Sequence, residues 1–100
     1  MIDELTKADF EPLLNEKFTV HPVGMDLVEL ELVKMTERNS DFSESFSLLF
    51  RGPIDKVFRH DTHKMIHPKL GELYLFIGPI IYPATDGVYY EVIFNRLKKA

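Results

Sequence analysis

From Lys17 to Leu97, apolar and polar residues mostly alternate with a period of two, the spacing of a pleated strand with one buried face. Phe18 and Val20 alternate with Lys17, Thr19 and His21 until Pro22 and Gly24 mark a turn. Over residues 26–38, Val28, Leu30 and Leu32 face one way and Glu29 and Glu31 the other. Val33 and Met35 then continue in the opposite phase. A one-residue slip would turn every later side chain to the wrong face, so a β-bulge is expected at Leu32 and Val33. Glu and Leu are also good helix formers, but the alternation through Leu32 favours a strand.

The pattern repeats downstream. Phe46, Leu48 and Phe50 alternate with Ser45, Ser47 and Arg51 until Gly52 and Pro53 end the segment. Residues 54–61 read as a connection that Ile54, Val57 and Phe58 can anchor. Residues 62–67 form a short strand closed by Pro68. Leu70 and Gly71 turn the chain into residues 72–77, apolar on both faces and interrupted by Gly78 and Pro79. Asp86-Gly87 is a hairpin signal ahead of a last strand over residues 88–97, with Tyr90, Val92 and Phe94 on one face. Residues 98–100 should fray. Before all of these, Thr6 can cap a short helix with Asp9 three residues on, and Phe10, Leu13 and Leu14 share a side. Pro12 predicts a break near Glu11.

Short turns make antiparallel neighbours, because a parallel crossover needs about a dozen residues or more. The expected fold is all-β: a six-stranded antiparallel meander curled into a small barrel or compact sandwich, with a short N-terminal helix over an open end. A chain of 100 residues suits one domain, with residues 1–15 helical and 17–97 forming the barrel. There is no repeat, low-complexity segment or linker.

Composition narrows the functional classes. Twelve Lys and Arg against sixteen Asp and Glu give a net charge of −4, which argues against nucleic acid as a partner. Without cysteine there is no disulfide, thiolate metal site or cysteine nucleophile. No apolar run spans a bilayer, and residues 1–4 carry acids where a secretory signal needs bases, so a cytoplasmic protein with no membrane partner is expected.

Motifs for chemistry are sparse. His60, Asp61, His63 and His67 suggest a metal site, but on a strand His63 and His67 stand about 13 Å apart, too far for one ion. The reading is solvent-facing histidines and no metal. Ser43, Ser45 and Ser47 lie along a strand edge with no nucleophile elbow, and Glu29 and Glu31 keep an exposed face soluble. The glycines stand singly, with no phosphate loop or dinucleotide fingerprint. No cofactor and no catalytic residue is assigned.

What exceeds an ordinary barrel is apolar surplus. Leu49, Tyr74, Phe76, Tyr89 and Ile93 lie on the faces opposite the inward sets. Either Phe10, Leu13 and Leu14 of the helix cover them, or they meet a protein partner or a second copy of the chain. The final strand, where unpaired, can also extend a partner's sheet.

Four segments carry a resemblance: residues 5–14 (LTKADFEPLL), 46–53 (FSLLFRGP), 67–76 (HPKLGELYLF) and 90–95 (YEVIFN). They resemble a family of small bacterial proteins of unknown function. The resemblance implies a structural or accessory role, linked to phage-tail-like structures, and brings no catalytic residues with it. Its recurrent polar members, Arg51 and His67, are expected to tie turns to the barrel by a hydrogen bond or ion pair. The functional expectation is a non-enzymatic protein-binding or assembly module. The alternative is a ligand-binding or enzymatic barrel using Arg51, His63 and His67, although barrels of this size are normally filled by side chains.

Overall fold

Pro12 decides how the N-terminal segment folds. In this computed structural model, which describes residues 5–97, an α-helix α1 (Lys7–Phe10) stops short of the proline. A 3-10 turn (Glu11–Leu13) then takes Pro12 near its start, where a missing N–H costs nothing. The Asp9 carboxylate accepts the Thr6 main-chain N–H at 2.7 Å, closing the first turn as the sequence suggests. Asn15, at φ 70°, ends the segment in the left-handed region. Its N–H donates to the Leu32 carbonyl at 2.7 Å, and the Leu32 N–H donates to the Glu16 carbonyl at 3.0 Å.

Six strands follow: β1 (Lys17–His21), β2 (Val28–Asn39), β3 (Ser43–Gly52), β4 (Asp61–His67), β5 (Gly71–Ile80) and β6 (Val88–Leu97). They close into an antiparallel barrel in the order β1-β2-β3-β6-β5-β4. The fold class read from the sequence holds, and the register shift between Leu32 and Lys34 is the bulge that the phase change predicts.

Two details of the strand layout depart from expectation. β3 pairs with β6 rather than β4, so the connectivity is not a simple meander. β5 does not break at Gly78 and Pro79. The β4 ladder ends at the Asp61–Ile77 pair, so the N–H that Pro79 lacks removes no bond on that side. Gly78 is required because a Cβ there would collide with the His60 ring and stand 2.7 Å from its Cα. The predicted fraying of residues 98–100 lies outside the described residues.

The inward sets of all six strands fill the barrel. Phe18, Val20, Leu30, Leu32, Leu48, Phe50, Met65, Leu75, Ile77 and Tyr90 are buried, each large apolar side chain contributing about 1.5–3 kcal/mol relative to exposure. Phe18 stands edge-on to Phe50 at 5.2 Å. Since β3 and β4 are not neighbours, residues 53–60 must cross the mouth of the barrel. Phe58 fills that mouth: it stacks on Tyr90 at 4.3 Å and meets His63 edge-on at 4.7 Å. Ile54 and Val57, expected as anchors beside it, are exposed instead.

Candidate protein-interaction face

On the outer side of the barrel, β5 presents Tyr74 and Phe76 and β6 presents Ile93, with exposures of 61%, 64% and 66%. The register that sets Gly78 against Glu91 brings Phe76 level with Ile93. Leu49 and Tyr89, grouped with these three on the sequence, are buried. Leu49 sits mid-sheet between Lys34 and Glu91. Tyr89 is covered by the loop before β6, where Tyr82 stacks on it at 4.3 Å. Strand parity placed both correctly on the outer face but could not foresee what folds over that face.

The N-terminal segment does not cover the outer residues. Phe10 packs at 5.5 Å on Phe94 and 6.1 Å on Phe46, which stack on each other at 4.7 Å, and Leu13 is buried with them. This lid closes the end of the barrel opposite Phe58. A cleft of about 350 Å³ remains beneath it, bordered by Lys7, Glu11, Glu37, Phe46, Phe94 and Asn95. Lys7 pairs with Glu11 at 3.0 Å there.

A second apolar group escaped the sequence reading. The β1–β2, β3–β4 and β5–β6 connections emerge at the Phe58 end, and they expose Val23, Met25, Leu27, Ile54, Val57 and Ile81. An apolar residue in a turn breaks no periodicity, so only the placement of the loops around one rim reveals the group.

The polar candidates all have partners within the fold. Arg51 Nη2 donates to Glu31 Oε1 at 2.9 Å and Nη1 donates to Asp86 Oδ2 at 3.0 Å, tying β2, β3 and the β5–β6 loop together. The Tyr89 hydroxyl donates to Asp86 Oδ1 at 2.7 Å. That bond, ahead of the Arg51 guanidinium, holds the Asp86 carboxyl below its ordinary value, and it holds the Tyr89 hydroxyl above its own. Glu31, read as part of a merely soluble face, is thus a partner of Arg51.

His63 and His67, expected to face solvent, are both buried, because β4 turns its odd residues inward. His67 Nε2 lies 2.7 Å from Glu16 Oε1. The Lys69 N–H donates to its Nδ1 at 3.1 Å, which leaves the proton on Nε2, facing the carboxylate. His63 Nε2 donates to the Arg59 carbonyl at 2.9 Å while Nδ1 has no partner. The Tyr90 hydroxyl is likewise buried without a hydrogen bond, although the Phe58 main chain passes close to it. Arg51 on the outer face, His63 under Phe58 and His67 beside Glu16 do not converge on one site. Among the described residues, no group of three or more His, Asp and Glu side chains is arranged to hold a metal ion.

These features define a small closed antiparallel β-barrel, plugged at one mouth by its own connection and lidded at the other by its N-terminal segment. A family model described as a domain of unknown function, DUF6916, matches residues 5–94, and the chain belongs to that family. No curated protein and no solved structure matches it significantly.

Proposed function

We propose that this protein is a non-enzymatic binding or assembly module of the bacterial cytoplasm, docking on another protein through Tyr74, Phe76 and Ile93. The observation that carries the reading is the exposure of these three large apolar side chains on neighbouring strands, with the barrel interior already filled. Aromatic residues are enriched at protein interfaces, and a contiguous apolar surface on a monomer calls for an explanation. The acidic net charge favours a protein over a nucleic acid. An accessory role in a phage-tail-like assembly, as the resemblance implies, fits a domain that offers surface rather than chemistry.

A tagged pull-down from host lysate tests the reading, comparing the natural chain with Tyr74→Glu and Phe76→Glu. A near-stoichiometric partner, kept at moderate salt and lost from both variants while their circular dichroism is unchanged, supports the proposal. A partner retained by both variants refutes it, as does collapse of the fold in both.

A further inference from the structure

β5 and β6 are each ten residues long, yet only three residue pairs join them: Gly78 with Glu91, Pro79 with Tyr90 and Ile80 with Tyr89. Below those pairs the strands part. Residues 71–77 pair with β4 on one side, and residues 92–97 pair with β3 on one side. Across the seam between them, no further residue pair joins the two strands among the described residues. Backbone N–H and C=O groups in that state are a template for another strand.

The barrel's other free edge shows what protection looks like. Beyond its bulge β2 has no β1 partner, and that stretch carries Lys34, Glu37 and Arg38. Charges of this kind are how natural sheets block edge pairing. The seam has the reverse design, with Tyr74, Phe76 and Ile93 at its centre. Among the described side chains of β5 and β6, the outward-facing charges are acidic: Glu72 two residues before Tyr74 on β5, and Glu91 two residues before Ile93 on β6. Lys64 stands across from Tyr74 on the β4 side, away from the seam.

We infer that the free edge of β5, residues 71–77, receives an extended segment of a partner protein as an added β-strand. Resting on the docking reading above, the inference names what docks. The segment carries apolar residues at alternate positions, which lie beside Tyr74, Phe76 and Ile93, and a basic residue at each end to meet Glu72 and Glu91. Main-chain bonds hold it, and the alternating side chains and end charges select it. A second copy of this chain fits less well, since each copy brings a net charge of −4.

The test uses the full chain and a blocked synthetic peptide of alternating Val and Thr with Lys at both ends. Two controls replace both Lys by Glu, or N-methylate the peptide backbone at alternate positions. The Lys peptide is expected to slow amide exchange over residues 72–77 about tenfold or more at saturation. Both controls are expected to lose that protection. Protection by the Glu peptide as strong as by the Lys peptide would overturn the inferred charge. If the N-methylated peptide perturbs Tyr74 and Phe76 as the parent does without slowing edge amides, strand addition is refuted while the docking face stands. If the Lys peptide protects no amide in residues 72–77, strand addition is refuted, and the pull-down decides separately on docking. Protection that rises with protein concentration in the absence of peptide assigns the edge to a second copy and overturns the partner segment.

Discussion

Glu16 and His67 lie fifty-one residues apart in sequence and meet at 2.7 Å, joining the start of β1 to the end of β4. The His67 ring is buried against Phe18, with centroids 4.6 Å apart, while the Glu16 side chain is 40% exposed, so water is kept from the donor but reaches the acceptor. His67→Ala should lower the unfolding free energy by about 2–3 kcal/mol, the scale of a lost bond to a charged acceptor together with the packing of a buried ring against Phe18. Glu16→Gln, whose amide oxygen still accepts, should cost less than about 1 kcal/mol. Urea denaturation of both variants measures the difference, and equal stability of His67→Ala and the natural chain would contradict it.

Much of this architecture was legible because strand parity is a strict rule. Phe18, Leu30, Leu48 and Tyr90 point inward as their alternation requires, and the slip at Leu32 and Val33 appears as a bulge. What parity cannot give is which strands become neighbours or what lies over an outward residue. Thus the β3–β6 pairing and the burial of Leu49 and Tyr89 were not readable. His63 and His67 went astray for another reason: histidine suits a wet face or a hydrogen-bonded interior equally well, and the partners that settle it, Arg59 and Glu16, come from other segments. Of the candidate face, the three residues that remain exposed lie beside the seam, whose opening is a property of ladder length and leaves no trace in composition.

Phe58 is the plug of the β4–β6 mouth, and its removal leaves a void between His63 and Tyr90. Phe58→Ala should destabilise the barrel by about 3–5 kcal/mol. Hydrogen exchange should quicken first at the top of β4 and β6. A loss below about 1 kcal/mol would mean that residues 53–60 close the mouth without it.

Burial pushes the Tyr90 hydroxyl above the ordinary tyrosine value of 10.0. The unfolded chain then loses this proton at lower pH than the folded one, so the stability it contributes is complete below pH 10 and declines as pH rises through the folded value. Denaturation curves across the alkaline range should fall more steeply for the natural chain than for Tyr90→Phe. Because the hydroxyl has no hydrogen bond, Tyr90→Phe should be neutral or stabilising at pH 7, by up to about 1 kcal/mol. Marked destabilisation would show that the hydroxyl does find a partner in solution.

Asp86 titrates in the opposite sense. Its carboxyl is held below 3.8, first by the Tyr89 hydroxyl, so its contribution is present above that value and is lost as pH falls through the lower folded one. Tyr89→Phe removes the leading cause. An NMR titration of the Asp86 carboxyl should show its midpoint rise toward the ordinary value in that variant. An unchanged midpoint would assign the depression to Arg51 instead.

The pairing of β3 with β6 has a consequence for how the chain reaches this state. Gly52 and Val88 are partners, so the ten-pair ladder between these strands closes a loop of more than thirty residues. Of the described strands, β6 is also the last to leave the ribosome. Until it emerges, the hairpins β1–β2, β2–β3 and β4–β5 can form locally, but β3 keeps its inner edge bare and the barrel stays open. During synthesis the chain is therefore an unzipped sheet with Leu48 and Phe50 in water, and this waiting period is when a chaperone or a neighbouring nascent strand would compete for β3.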